Sequence, residues 1–227
     1  MNSFPASLSE AEICDRLSAA KALPPTAPFP ATAFPSKFFK EPSRPAAVLI
    51  PFLKIDKTWH ILFTRRTDTL PEHSGQVAFP GGGSEPEDKS PEATALRETY
   101  EEIGLAPENV QILGKLNTLQ TISNYCITPV VGVIPWPYLF QLELTEVSWI
   151  FTIPLAWLAN PTHYEIRHRA LPSPFPPIPV VYFQHYDGEL LWGVSAQITL
   201  NLLVALELIV DKSMITNENP SSKIEEG

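Results

Sequence analysis

One stretch constrains this chain more than any other: GGGSEPEDKSPEATALRETYEEIGL, residues 81 to 105. Ser90 is a good N-cap, Pro91 suits the first helical position and Gly104 suits a left-handed C-cap, so a helix is predicted from about Pro91 to Ile103. On a helical period of about 100° per residue, Ala93, Leu96, Tyr100 and Ile103 fall on one stripe, expected to pack on a sheet. Glu98, Glu101 and Glu102 gather on the other side, with neighbours about 5–6 Å apart. Three carboxylates this close repel one another and approach the negative end of the helix dipole. Arg97, four residues before Glu101, relieves only part of that. Two readings stay open on the residues alone, a solvated helix face or a site built to hold a cation. A hard divalent ion such as Mg²⁺ prefers carboxylate oxygens, water and substrate phosphates. The glycine-rich turn ahead of the helix lets backbone amides approach an anionic ligand closely. Together these features point to a diphosphate held by a metal, with water as nucleophile.

The chain has 227 residues, 44% hydrophobic and 18% charged, which suits one globular domain with some extra length. Its formal net charge of -9 argues against an extended nucleic-acid surface, because phosphate backbones are bound mainly through Lys and Arg. Small anionic substrates remain compatible with that balance. Cys14 and Cys126 are far apart and form no CxxC, which fits a reducing compartment, and the expected location is cytoplasmic. The opening MNSFPASLSEAEICDRL lacks a basic region followed by an apolar run, so no signal peptide is expected. Apolar stretches such as VVGVIPWPYLF are broken by Pro and too short to span a bilayer, so no membrane partner is expected.

Along the chain, a short helix is predicted at about residues 9–21, capped by Ser7 or Ser9, followed by a Pro-rich arm that excludes helix and central strand. AAVLIPFL and WHILFTRR read as a hairpin turning at KIDK, and QVAF as a short strand before the glycines. VQILGKLNTLQT, YCITPVVGVIP and EVSWIFTIPL read as further strands, and PLAWLAN as a short helix. PPIPVVYFQHYDGELLWG is predicted to be a hairpin with YDGE as its turn, and SAQITLNLLVALELIV a closing helix. The polar tail is expected to be disordered. The expected organisation is an N-terminal helix and arm over residues 1–45, a catalytic domain over 46–210 and a tail over 211–227. The fold class is α/β, a mixed β-sheet packed between α-helices.

Residues 83 to 105 resemble the box of the Nudix hydrolases, G-x5-E-x7-R-E-U-x-E-E-x-G-U, where U is aliphatic. Gly83, Arg97, Glu98, Glu101, Glu102, Gly104 and Leu105 match. Thr99 stands at the aliphatic position and Lys89 at the first glutamate, for which Asp88 is the nearest substitute. Upstream, LFTRRTDTLPEHSGQVAFPGG is similar to the extra motif of the coenzyme A pyrophosphatase branch, L-L-T-x-R-[SA]-x3-R-x3-G-x3-F-P-G-G. Leu62, Thr64, Arg66, Gly75, Phe79, Pro80, Gly81 and Gly82 match in register, whereas Pro71 occupies the second arginine position.

The resemblance implies a Nudix fold and Mg²⁺- or Mn²⁺-dependent hydrolysis of a nucleoside diphosphate linked to another group. In the named branch the substrate is coenzyme A or its thioesters. It places Glu98, Glu101 and Glu102 as metal ligands and catalytic groups, with Arg97, Asp88 and Gly104 as structural members of the box. Arg66, Gly81 and Gly82 are expected to bind substrate. Glu146, in LTEVSW at a loop-to-strand boundary, is a candidate general base, a role that a box glutamate could fill instead. Arg65 and His73 read as surface groups, and Tyr125 as a strand aromatic or a base-stacking platform. The expected partners are a small nucleoside diphosphate and a second copy of the chain. ADP-ribose hydrolysis and a non-catalytic ligand sensor are the alternatives.

Overall fold

The computed structural model describes residues 8–22, 42–69, 74–171 and 177–209. Its elements, in chain order, are α1 (Glu10–Ala22), β1 (Arg44–Ile55), β2 (Thr58–Arg66), β3 (Val77–Ala78), β4 (Gly81–Gly83) and α2 (Pro91–Ile103). Then follow β5 (Gln111–Lys115), β6 (Leu119–Gln120), β7 (Tyr125–Val133), β8 (Val147–Pro154), α3 (Leu155–Leu158), β9 (Tyr164–Arg169), β10 (Ile178–Phe183) and α4 (Gly193–Ala205). Most of the Pro-rich arm, together with Pro71, His73 and the C-terminal tail, lies outside the described residues.

The sheet is organised around β1 and around a split in it. β1 and β2 pair antiparallel from Ile55↔Thr58 to Phe52↔Ile61, through a turn at Asp56 and Lys57 with φ of 48° and 67°. Positive φ at both positions gives the primed turn that matches strand twist. Farther from the turn the two strands part at Pro51. On this edge the Leu49 amide donates to the Pro80 carbonyl, and alternation would aim the amide of residue 51 the same way. Proline has no N–H to leave unsatisfied where the partner strand peels off. The gap is filled by β3, paired with β2, and by β4, paired with β1 from Val48↔Gly81 to Ala46↔Gly83. On its other edge β1 runs parallel to β7, and β8 flanks β2, so the sheet is mixed.

Alternation in β1 and β2 feeds two cores. Ala47, Leu49, Leu53 and Leu62 point to one face, where they pack with Ala95, Ile103 and Leu105 in and after α2. Ile50, Phe52, Ile61 and Phe63 point to the other, joined by Ile13 and Leu17 of α1 and Ile198, Leu202 and Leu203 of α4. A mixed sheet between helical layers is what forms.

Three details depart from the sequence reading. The glycines after QVAF form a strand rather than a flexible turn. The strand β10 pairs along its length with β9, which the sequence reading did not assign, and meets the residues after YDGE only briefly, through the Tyr182↔Trp192 bridge and the Phe183 amide on the Leu191 carbonyl; the tetrapeptide turns, its Tyr186 amide donating to the Glu189 carbonyl. The helix α1, grouped with the arm, packs in the main core: Leu8, Ile13 and Leu17 are buried, and Trp59 Nε1 donates to the Leu8 carbonyl at 2.6 Å. Ser9 caps α1, its hydroxyl accepting from the Glu12 amide while the Glu12 carboxylate accepts the Ser9 amide, a reciprocal box. Ile13→Ala is therefore expected to cost about 2–5 kcal/mol of unfolding free energy, the range of a core truncation. Urea unfolding reads this directly, and a loss within about 0.5 kcal/mol, typical of a surface position, would mean that α1 is only tethered.

Candidate active site

The helix α2 has the predicted ends. The Ser90 hydroxyl accepts from the Ala93 amide, Pro91 opens the helix, and Gly104 at φ 68° closes it with its amide on the Tyr100 carbonyl. The last carbonyls are met by the distant loop between β7 and β8, where the Gln141 amide donates to Ile103 and the Glu143 amide to Glu102. Gly104 is needed twice, for its left-handed backbone and because a Cβ would stand 2.8 Å from that of Gln141.

The rotation of the helix differs from the apolar-stripe prediction. Thr94, Ala95, Thr99, Glu102 and Ile103 are buried, whereas Tyr100 is 55% exposed. The Thr99 hydroxyl donates to the Ala95 carbonyl, which satisfies it inside the interface. This rotation carries Glu98 and Glu102 onto the glycine strand β4. A Cβ on Gly82 would lie 2.5 Å from Glu98 Oε2, and one on Gly81 would collide with the Ala47 carbonyl and Val48 Cα. Gly81 also has φ 149°, and its amide donates to Glu102 Oε2 at 3.2 Å.

The two carboxylates under β4 are held in unequal ways. Glu102, with 6% of its side chain exposed, lies 4.0 Å from Arg66 Nη1. Burial pushes its carboxyl up to about 8, against the opposing pull of the Gly81 amide and Arg66; Glu146 and Glu98 add repulsion. Burial likewise raises Glu98, partly offset by Arg97, with Glu101 and Glu146 repelling it. Glu146 itself is exposed, immediately before β8, and its charge bears on both Glu98 and Glu102. Glu101 is turned outward, 54% exposed, on Arg97 Nη1 at 3.0 Å. The three glutamates thus do not form one cluster. Among the described residues no three His, Cys, Asp or Glu side chains form a ready ion cage.

Arg97 is the hub of the box. It reaches Asp88 at 3.0 Å, Glu98 at 3.0 Å, Glu101 at 3.0 Å and the Gly83 carbonyl at 2.9 Å. Asp88 also accepts from the Glu85 amide and the Thr94 hydroxyl. The bonds from Arg97 and then from the Glu85 amide hold its carboxyl down at about 2. Lys89, beside it, is exposed.

Upstream, Arg65 and Arg66 point to opposite faces. Arg65, expected to be an ordinary surface charge, is mostly buried: it pairs with Asp68 and Glu189 and lies over the Trp149 ring at 4.6 Å. Nothing near Arg65 in the sequence signals that Glu189 is its partner. Gly75, at φ 66°, leaves the space that the Arg65–Asp68 pair fills. Arg66 faces Glu102, and its buried Nε has no hydrogen-bond partner among the described residues. Tyr125 carries the Arg44 guanidinium over its ring at 4.1 Å.

This donor set fits a hard cation shared with a ligand. Mg²⁺ commonly takes one or two carboxylates and completes its shell with water and substrate phosphates. Buried Glu102 and partly buried Glu98, with the Arg66 guanidinium 4.0 Å from Glu102, match that pattern.

Comparison with known proteins agrees. The NUDIX domain family matches residues 42–150. An uncharacterized Nudix hydrolase NudL from Photorhabdus laumondii is 40% identical over 172 residues, covering 72% of this chain and 86% of its own. Its namesake in Yersinia pestis is 38% identical over 176 residues, covering 74% and 82%. The chain belongs to the Nudix hydrolase family. It is an enzyme acting on a diphosphate-containing substrate, and such hydrolases generally use divalent metal ions. A solved MutT/nudix family protein from Enterococcus faecalis superposes with a TM-score of 0.47 at 13% identity, covering 74% of this chain and 63% of that one. Among the described residues no helix is long and apolar enough to cross a membrane.

Without metal, the folded protein holds a proton on Glu102 that the unfolded chain releases from 4.5 upward. Glu102 therefore favours folding least at high pH: its contribution falls as pH rises from about 4.5 to about 8. In chelator, the unfolding midpoint of wild type is expected to drop across that window relative to Glu102→Gln. Parallel curves for the two proteins would show that Glu102 is not desolvated.

Proposed function

We propose that this enzyme hydrolyses the diphosphate of coenzyme A or its thioesters, releasing 3′,5′-ADP and 4′-phosphopantetheine or its acyl form. The observation that carries the reading is the run from Leu62 to Gly82, which matches the coenzyme A pyrophosphatase motif around the box. Several of its members have packing duties: the Thr64 hydroxyl donates to the Ala78 carbonyl, and Phe79 lies against Phe63. Arg66 is different. It brings a guanidinium, whose buried Nε has no partner among the described residues, to Glu102, which suits a phosphate oxygen.

Glu98 and Glu102 would hold Mg²⁺ or Mn²⁺, with Glu101 joining directly or through water after leaving Arg97. The bound ion would neutralise charge on the diphosphate and polarise it toward attack. Arg97 keeps Glu98 oriented, Arg66 binds a phosphate oxygen, and Gly81 and Gly82 bring main chain close to the substrate. Glu146, exposed and near enough for its charge to act on Glu98 and Glu102, takes the proton of the attacking water. A second reading, hydrolysis of ADP-ribose or another nucleoside diphosphate derivative, is favoured by Pro71, which removes the second arginine of the motif.

Incubation with Mg²⁺ or Mn²⁺ and a panel of coenzyme A, acyl thioesters, ADP-ribose and dinucleotides, read by mass spectrometry, separates the two. Cleavage of coenzyme A to 3′,5′-ADP is expected, and turnover of ADP-ribose with none of coenzyme A would reverse the assignment. Glu102→Gln is expected to lower kcat by about a hundredfold or more, in the range of lost transition-state electrostatics, while its circular dichroism stays that of wild type. Undiminished kcat would remove Glu102 from the site.

A further inference from the structure

The position of Glu146 is controlled from β2. The ladder between β2 and β8 runs in register up to Arg65↔Trp149, then slips so that Arg66 pairs with Val147. Ser148 is the extra residue, as in a bulge that re-aims a strand; its hydroxyl lies 3.4 Å from the Arg66 carbonyl. Past the slip a single residue reconnects the strands. The Thr67 amide donates to the Glu146 carbonyl at 2.9 Å, and the Thr67 hydroxyl donates to the Thr145 carbonyl at 3.1 Å.

Thr67 is itself well fixed. It is 7% exposed, its hydroxyl accepts from the Thr69 hydroxyl at 3.2 Å, and its carbonyl accepts from the Gly75 amide at 3.3 Å. The next residue, Asp68, is tied to Arg65. Glu146, by contrast, is exposed and is the last residue of the turn before β8, where its amide donates to the Glu143 carbonyl. Two successive carbonyls, of residues 145 and 146, are thus pinned by one buried residue adjacent to Arg66.

We propose that Thr67 is a positioning residue, whose paired bonds to the Thr145 and Glu146 carbonyls aim the Glu146 carboxylate at the Glu98–Glu102 pair. The proposal rests on the reading of Glu146 as the group that takes the proton from water. It makes residues 67–69, directly after Arg66, and the turn that carries Glu146 one mechanical unit. Displacement of a reacting group by about 1 Å can cost on the order of a hundredfold in rate, so one lost bond can matter without unfolding anything.

Thr67→Val removes the hydroxyl at nearly constant volume, and Thr67→Ser retains it. With Mg²⁺ and the best substrate of the panel, Thr67→Val is expected to lower kcat about 10–100-fold, the usual effect of losing a supporting hydrogen bond, with KM little changed. Thr67→Ser should recover most of the rate. In a Glu146→Gln background Thr67→Val should cost nothing further, because the two changes disable one function. Unchanged kcat in Thr67→Val, no recovery in Thr67→Ser, or the same fold-loss in the Glu146→Gln background each overturns the proposal. If Glu146→Gln alone keeps full kcat, the general-base assignment fails separately. Hydrogen exchange at the amide of position 67 then still reads the clamp: faster exchange in Thr67→Val than in Thr67→Ser supports it, and equal exchange removes it.

Discussion

Everything at the site depends on the close approach of α2 to a strand that has no side chains. Gly81 lies so near β1 that a Cβ would enter the Ala47 carbonyl, and Gly82 lies so near Glu98 that a Cβ would meet its carboxylate. Because β4 is only backbone, the helix can settle with two carboxylates against it, one of them bonded to the Gly81 amide. The split at Pro51 makes room for that strand inside the sheet. Packing of Ala95 and Ile103 in the same core as Leu49 and Leu53 secures the helix at that distance. The glycines therefore act through the absence of atoms rather than through flexibility.

The cost of the arrangement is electrostatic. Desolvation favours the neutral form of a carboxyl, and both Glu98 and Glu102 feel it, with Glu146 adding to the repulsion. The protein supplies partial compensation of two kinds. Arg97, anchored on Asp88 and the Gly83 carbonyl, bonds Glu98 and Glu101. Arg66, at 4.0 Å, gives Glu102 a weaker partner. The imbalance leaves Glu102 short of positive charge and Arg66 without a close acceptor for its Nε among the described residues, which suits the metal–diphosphate complex that we propose.

How much of this was readable beforehand divides along a physical line. The bounds of α2 were legible because Ser90, Pro91 and Gly104 act within a turn of their own positions. Asp88 could be singled out because it is one residue from the place where Lys89 breaks the box, and in the structure it accepts from Arg97. The face of α2 was not, since the stripe rule equates apolar with buried. Here Thr99 is buried with its hydroxyl satisfied within the helix, Glu102 is buried against a backbone amide, and Tyr100 is left outside. β9 escaped notice because Tyr164 and Ile166 are its only apolar residues, too few to show alternation. The burial of Arg65 was invisible because Glu189, one of its partners, lies far along the chain.

Local chemistry in the sequence by itself determined the helix and its caps, the primed turn at Asp56–Lys57, and the order of glycines, arginine and glutamates that marks the family. Those features depend on residues within a few positions of one another. Tertiary structure alone decided which glutamates are buried and which is released, that α1 belongs to the core, and that Thr67 grips the loop before β8. Each of these is set by contact between segments distant in the chain, where the space left by one element fixes the rotation or the charge of another.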